Sequence, residues 1–132
     1  MLHRFLNPET LSAPTGYSHV ALVPAGRQVH LSGQVALDAA GTLIGADDLA
    51  AQTEQVFTNV AAGLAAAGAG WPQVFKIVTY VVGLDSSRAA VVRQVRSRHF
   101  GAGPYPASTM VGVQALVDPR LLIEIEAIAL LD

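Results

Sequence analysis

The sequence predicts an α+β fold in which two helices cover one face of a mixed β-sheet. Segments with strand and helix periodicity follow one another in the order β-β-β-α-β-α-β-β. One strand, Val74–Val82, is largely apolar on both faces, so the sheet face that the helices leave open needs another cover. A second copy of the chain is the simplest source, and the sequence therefore also predicts an oligomer. Because no linker or internal repeat interrupts this pattern, we expect one domain over residues 1–132.

Three strands are predicted before the first helix. The first is a short extended segment at residues 17–24, followed by a turn at Gly26. The second, at 28–37, alternates apolar and polar residues. A turn at 38–41 leads to a third, short strand at 42–44.

The first helix is predicted between a cap at Asp47 or Asp48 and a stop at Gly68, because apolar residues recur there at steps of three and four. The strand Val74–Val82 follows. Its two predicted faces are Val74, Val78, Tyr80 and Val82 on one side and Phe75, Ile77 and Val81 on the other.

The second helix is predicted from a cap at Ser86 or Ser87 to about residue 99. Its small apolar residues are expected to face inward and its arginines to face solvent: Ala89, Val92 and Val95 inward, and Arg88, Arg96 and Arg98 outward. A loop at 101–106 and two strands, at 108–113 and 121–130, follow.

Composition narrows the classes of function. Hydrophobic residues make up 52% of the chain and charged residues 14%, against about 25% charged residues in an average protein. The formal net charge of −2 predicts no nucleic-acid partner and no anionic membrane surface. Without cysteine the chain has no disulfide, thiolate metal site or cysteine nucleophile. No signal-like or membrane-spanning run is present, so we expect a cytoplasmic protein.

The histidines do not indicate a metal site. They lack the spacing of metal ligands, and no cluster of carboxylates accompanies them: His3, His19, His30 and His99. We expect neither a metal nor a cofactor.

The last predicted strand carries the most informative residue, Glu124. Alternation places Ile123, Ile125 and the alanines that follow on one face, and Glu124 and Glu126 on the other. Two carboxylates therefore lie on the face that we expect to meet other subunits. A partly buried carboxylate there could transfer protons near neutral pH, or it could form a salt bridge at a subunit boundary; position alone leaves both open.

Several segments together resemble the RidA/YjgF (reactive intermediate deaminase) family, also called L-PSP endoribonucleases. The similar segments follow the family's order along nearly the whole chain: Gly16-Tyr17-Ser18, Leu31-Ser32-Gly33-Gln34-Val35, Gln52-Thr53, Asn59, Ala66-Ala67-Gly68, Val74 with Lys76, Pro106-Ala107, and Glu124-Ile125-Glu126-Ala127-Ile128-Ala129. The resemblance implies a chorismate-mutase-like fold, a homotrimer and a small-molecule pocket at each subunit interface.

The best-known members of that family hydrolyse 2-imino and 2-enamino acids to 2-oxo acids and ammonia. In them an arginine clamps the substrate carboxylate, a glutamate positions or activates water, and a tyrosine shapes the pocket. By resemblance, Glu124 matches the glutamate and Tyr17 the tyrosine. The arginine normally follows the Pro-Ala pair, where this chain has Ser108. A hydroxyl cannot replace a guanidinium, so we expect weak or no activity on 2-imino acids.

Other residues are expected to line the same pocket. Ser108 and Thr109 would hydrogen-bond the substrate, and Gly33 would allow close approach of the backbone. Arg93 stands where many members carry an asparagine; it either supplies the missing positive charge from another wall or is a solvated helix residue. In a minority interpretation Ser108 is a nucleophile with Glu124 as its base.

Three functions follow from the sequence. The first is a deaminase-like hydrolase that acts on imines, enamines or related carbonyl compounds. The alternative is a non-catalytic trimer that binds a metabolite or serves regulation. Endoribonuclease action follows only from the family's second label, and the negative net charge and the lack of a histidine pair argue against it.

Overall fold

The computed structural model describes residues 2–132. Its main sheet has four strands in the spatial order β3-β6-β4-β5, and β4 and β5 are the parallel pair. The strands are β1 (Arg4–Leu6), β2 (Val20–Leu22), β3 (Arg27–Gln34), β4 (Val74–Val82), β5 (Ala107–Val113) and β6 (Ile123–Leu131); the α-helices are α1 (Leu49–Ala66) and α2 (Ser86–Phe100). β1 and β2 form a separate two-stranded antiparallel ribbon. The predicted α+β fold, a mixed sheet with two helices, is confirmed.

The hydrophobic core lies between the helices and one face of the sheet. Every second residue of β6 contributes to it, as the alternation predicted, and α1 supplies the opposite wall. The central side chains are almost fully buried: Val56, Phe57, Val60, Leu64, Ile77, Val81, Ile123, Ile125, Ala127 and Ala129. The other sheet face, which we call the open face, carries half-buried residues of β4 and β6: Val78, Tyr80, Val82, Glu124, Glu126 and Ile128.

A polar anchor joins α1 to the start of β6. The amide nitrogen of Gln52 donates to the carbonyl oxygens of Gly45, at 3.1 Å, and Arg120, at 3.0 Å, while its oxygen accepts from the N–H of Leu122 at 2.8 Å. Gln52 is fully buried, so these bonds satisfy groups that water cannot reach. The anchor fixes the end of β6 from which Glu124 projects.

The start of β4 differs from the prediction. The pairing register with β6 shifts between Val74 and Lys76, which is the mark of a β-bulge. The extra residue changes the alternation, and Val74 therefore packs in the core with Ile77. The prediction that Val74 shares a face with Val78 is wrong for this reason.

The first third of the chain also differs. The segment predicted as a strand at 17–24 is extended only at Val20–Leu22, and it pairs with Arg4–Leu6, a strand that was not predicted. At 42–44 there is only an isolated bridge between Leu37 and Leu43. A turn at Asp38 explains this, because its carboxylate accepts the N–H groups of residues 40 and 42, both at 2.9 Å.

The helix caps are aspartates. Asp48, one of the two predicted candidates, accepts the N–H of Ala51 at 3.0 Å. Asp85 caps α2, because its carboxylate accepts the N–H of Arg88 at 2.8 Å. The prediction of a cap at Ser86 or Ser87 is therefore wrong, and the cap lies one or two residues earlier. No helix within residues 2–132 has both the length and the apolarity to cross a membrane.

Arg96 lies on the inner side of α2. Only 6% of it is exposed, although an outward position was predicted. Ala89, Val92 and Arg96 are three and four residues apart, so they share one helix face. The prediction followed the residue type, whereas the helical period determines the position.

Candidate functional site

The open face of the sheet holds Glu124. It lies on the central strand β6, directly opposite Tyr80 of β4, and Glu126 lies opposite Val78. Residues paired in this way project from the same face. The two carboxylates therefore lie among half-buried apolar side chains on the open face, as the alternation in the sequence predicted.

The two carboxylates differ in their partners. The Tyr80 hydroxyl donates a hydrogen bond to Glu126. This bond raises the pKa of Tyr80, because ionisation would remove the donor and place a phenolate beside a carboxylate. Glu124 accepts no hydrogen bond from any group in residues 2–132. Its oxygens are therefore available to water or a ligand, while those of Glu126 are partly engaged.

Gly33 of β3 lies directly against Glu124. A Cβ atom at Gly33 would overlap Oε2 of the Glu124 carboxylate. The pairing register of β3 with β6 shifts between Leu31 and Gln34, so Gly33 lies in the irregular stretch. The structure thus brings these two predicted site residues together, and the glycine makes room for the carboxylate.

Thr109 faces the same way as Glu124 but at a distance. It lies on β5 opposite Val78 of β4, and its Oγ1 accepts a hydrogen bond from Nζ of Lys76 at 3.3 Å. One strand separates β5 from β6. Two strand spacings correspond to roughly 10 Å, so within one subunit only a ligand of several atoms could contact both residues.

Ser108 faces the helices. Its parallel partner on β4 is Ile77, a core residue, so Ser108 projects from the side opposite to Glu124. β4 also lies between their two strands. Within one subunit, Glu124 therefore cannot act as a base on the Ser108 hydroxyl, as the minority interpretation required.

Tyr17 belongs to a segment that runs along the outer edge of β5. The N–H of Ser18 donates to the carbonyl of Pro106 at 3.0 Å, and the Ser18 hydroxyl donates to the carbonyl of Tyr105 at 2.6 Å. The ring of Tyr17 stands edge-on to that of His19, with centroids 5.2 Å apart. These bonds fix Tyr17 beside the strand that carries Ser108.

Arg93 is exposed on α2, close to the same edge. It lines a cavity of about 240 Å³ together with Gly16, Arg96 and Tyr105. The predicted site residues thus form two groups. One is on the open face (Gly33, Thr109 and Glu124), and the other is along the β5 edge (Tyr17, Arg93 and Ser108).

One further polar side chain, that of Asn59, bears on the site. Asn59 lines a groove of about 540 Å³ between α1 and the end of β3. Its amide nitrogen donates to the carbonyls of Val35 and Leu37, at 2.9 and 2.8 Å, so Asn59 holds the loop after Gly33. In residues 2–132, no group of three histidine or acidic side chains is arranged to hold a metal ion.

Comparison with known proteins gives the family. A family model described as Endoribonuclease L-PSP matches residues 8–131. A RutC family protein of Synechocystis is 30% identical over 132 residues, covering 99% of this chain and 98% of its own length. The chain belongs to the RidA/YjgF family.

Other relatives have a comparable sequence identity to this chain. Protein DfrA of Myxococcus xanthus is 39% identical over 86% of this chain and 83% of its own length. A protein of Dermatophagoides farinae named 2-iminobutanoate/2-iminopropanoate deaminase is 28% identical over 83% of each chain. The RidA/YjgF relatives therefore include a protein named as an imine deaminase.

Solved structures agree with this assignment. A Rid-family protein of unknown function from Yersinia pestis, YyfB, is 44% identical with a TM-score of 0.92, and 99% of this chain and 100% of that chain are covered. RidA from an Antarctic Psychrobacter is 34% identical with a TM-score of 0.71, covering 91% and 92%. These likenesses confirm the chorismate-mutase-like fold expected of a RidA/YjgF member.

Proposed function

We propose that this RidA/YjgF member is a homotrimer that hydrolyses small imines in pockets between its subunits, with Glu124 as the residue that handles water. The observation that carries the proposal is the Glu124 carboxylate. It lies on the open face against Gly33 and accepts no hydrogen bond from residues 2–132. A carboxylate whose oxygens are not engaged by the protein can bind a water molecule and accept a proton from it.

The division of the site into two groups supports a pocket between subunits. Glu124 and Ser108 project from opposite sides of one sheet, so a single chain does not enclose a ligand between them. A neighbouring subunit that covers the open face would place its own β5 edge or helices near Glu124. The half-buried apolar residues around Glu124 favour such a cover.

The chemistry requires no group beyond the chain and water. Glu124 takes a proton from water as the water oxygen adds to the carbon of the C=N bond, and it passes that proton to the nitrogen to give a neutral carbinolamine. In the second step Glu124 takes the hydroxyl proton as the C=O bond forms, and it passes this proton to the departing nitrogen as the C–N bond breaks. The products are a carbonyl compound and ammonia, and the carboxylate is regenerated.

Ser108 determines the proposed substrate class. In the best-known family members the arginine at this position pairs with the substrate carboxylate, and the loss of a buried pair of this kind costs roughly 2–5 kcal/mol of binding. We therefore propose neutral imines and enamines as substrates, with weak or no turnover of 2-imino acids. The named imine deaminase among the relatives supports the reaction type.

The test compares neutral imines with 2-iminopropanoate in wild-type protein and in three variants. Glu124→Gln should lower turnover of the neutral imines by about a hundredfold or more, the usual effect of removing a general base. Glu126→Gln, the matched control on the same face, should retain it. Ser108→Arg should raise turnover of 2-iminopropanoate. If wild type and Glu124→Gln both equal buffer on every imine, the hydrolase proposal fails.

The same variants examine the other two functions. A metabolite that raises the melting temperature of wild type without reacting would favour the non-catalytic, ligand-binding trimer. We expect no RNA cleavage, because the formal net charge is −2. Cleavage that disappears in Glu124→Gln would contradict this expectation.

A further inference from the structure

Arg96 is a buried cation without a partner. Only 6% of the residue is exposed, and its guanidinium forms no hydrogen bond or ion pair with any group in residues 2–132. Two other arginines, Arg98 and Arg120, pair with carboxylates at 2.7 and 2.9 Å although they are exposed. Its nitrogens are not among the fully buried side-chain atoms without a partner in residues 2–132, which are the two ring nitrogens of His3, so the guanidinium reaches the space beside it. A charge so poorly exposed to water is costly without a compensating group.

The guanidinium of Arg96 borders the cavity of about 240 Å³ at the β5 edge. The residues that line the cavity include no aspartate or glutamate. The loop at Gly16 comes close to the arginine: a Cβ atom there would lie 3.1 Å from Nη2 of Arg96, and the positive φ of +71° favours glycine. The loop therefore shapes one wall of the cavity around the charged group.

The electrostatics of the cavity favour an anion. Arg93 lies one helical turn before Arg96 and also borders the cavity, so two positive charges face the same space. Burial lowers the pKa of Arg96, and repulsion by Arg93 lowers it further. An anion in the cavity would offset both effects, because its negative charge favours the charged form of Arg96.

We infer that this cavity is a binding site for a small carboxylate, held by Arg96 with Arg93 as a second positive charge. A planar guanidinium fork matches the two oxygens of a carboxylate. The cavity volume suits a ligand of a few heavy atoms. The Thr15 hydroxyl also lines the cavity and can donate to an anion.

This cavity adjoins the β5-edge group of the site proposed for hydrolysis and shares Arg93 with it, but Arg96 belongs to neither group of that site. The cavity lies between α2 and the segment beside β5, whereas Glu124 projects from the open face of the same subunit. Binding at Arg96 therefore does not require Glu124. A carboxylate side chain from a second subunit is the competing occupant, and it would make Arg96 part of a subunit contact instead of a ligand site.

The experiment measures binding of pyruvate and acetate to the full chain by calorimetry and by the shift in melting temperature, at constant ionic strength. Acetamide, which has nearly the same shape as acetate but no charge, is the ligand control. We expect pyruvate to bind and acetamide not to bind. Arg96→Gln should weaken pyruvate binding by about tenfold or more, the effect of losing a charge-assisted pair.

Two further variants keep the test decisive if Arg96→Gln does not fold. Arg93→Gln changes an exposed residue and should weaken pyruvate binding by about threefold, as expected of an additional nearby charge. Arg98→Gln, an exposed arginine of the same helix outside the cavity, should bind pyruvate like wild type.

Three outcomes would overturn the inference. One is equal stabilisation by acetamide and acetate. Another is tighter binding of inorganic phosphate than of pyruvate, which would assign a different anion. The third is a wild-type protein that does not bind pyruvate. If Arg96→Gln then also loses its oligomeric state, the group that pairs with Arg96 is a carboxylate of a second subunit.

Discussion

Gly33 of β3 and Glu124 of β6 are in contact only because residue 33 has no side chain. Any other L-residue at position 33 would place its Cβ atom on the carboxylate. The carboxylate, in turn, is held near the open face by the pairing of β6 with β3 and β4. Gly33 therefore acts as a positioning residue, and its effect should depend on the side chain at 124.

This dependence gives a prediction for a double-mutant cycle. Gly33→Ala should destabilise the protein by about 1–3 kcal/mol, the usual cost of forcing an extra group into a filled space. In a Glu124→Ala background the same change should cost much less, because the overlapping carboxylate is gone. The measurement is urea denaturation of the two single variants, the double variant and wild type.

Gly70→Ala is the matched control, since a Cβ atom there would meet nothing closer than 3.6 Å. It should have a small effect in both backgrounds. An equal cost of Gly33→Ala with and without the Glu124 side chain would show that the backbone, and not the carboxylate, requires the glycine.

At the scale of elements, the β1–β2 ribbon is the part whose attachment depends on a titratable group. His3 is 3% exposed, and its ring packs against those of Phe5 and Phe75, with centroids 5.0 and 6.1 Å away. Neither ring nitrogen of His3 has a hydrogen-bond partner in residues 2–132. Burial in these surroundings lowers the pKa of His3 from its usual 6.5.

We therefore expect acid to weaken the molecule through this ribbon. The unfolded chain takes up a proton on His3 more readily than the folded one, so the stability due to neutral His3 is fully present above pH 6.5 and is lost as the pH falls below it. The loss is at most about 1.4 kcal/mol per pH unit. His3→Leu should reduce the difference in unfolding free energy between pH 7.5 and pH 5, measured by urea denaturation.

His30→Leu, at an exposed position of β3, is the control for the loss of a histidine. It should leave the wild-type difference between the two pH values in place. If His3→Leu keeps the full wild-type pH dependence, His3 is not the group responsible.

The elements also show which parts of the fold a sequence can predict. β4 was predicted with its observed bounds because it is a nearly continuous apolar run, and α1 nearly so because its apolar residues recur at steps of three and four. The bounds of α2 were predictable from the residues at its ends, between the polar start at 85–87 and the glycine-rich loop after residue 100. β1 has only three residues and exists through its pairing with Val20–Leu22, a contact that no local pattern encodes. The segment at 42–44 carried strand-forming residues, but the Asp38 turn binds its backbone instead.

For the site residues too, a local sequence pattern could be predicted, whereas an orientation that depends on pairing with a distant strand could not. The face of Glu124 was predictable, because β6 alternates strictly. The face of Ser108 was not, since β5 is half exposed on both sides and its orientation follows from pairing with β4. Arg96 could have been found from its spacing of seven residues after Ala89, which a helix brings to the same face.

At the scale of the whole molecule, the open face is the unexplained surface of a single chain. Its β4 and β6 residues are only partly buried in one chain, and several are apolar: Val78, Tyr80, Val82 and Ile128. On the neighbouring strand β5, Val111 is 39% exposed. A sheet face with this many partly exposed apolar side chains needs a cover, and its cover by other subunits is the simplest account of the composition.

The proposed trimer can be tested by placing a charge in the middle of that face. Val78→Lys should convert the trimer to monomers, because each subunit would have to bury an ammonium group in the contact. The folded monomer should survive, since residue 78 lies on the open face and not in the core between the sheet and the helices. Val117→Lys, at a position that is 90% exposed, should leave the trimer intact. Sedimentation velocity measures the mass of each variant, and far-ultraviolet circular dichroism checks the fold.

Imine hydrolysis should be lost together with the trimer, because a pocket shared by two subunits cannot form on one. A wild-type monomer, or a Val78→Lys trimer, would contradict the assignment of the open face to subunit contact.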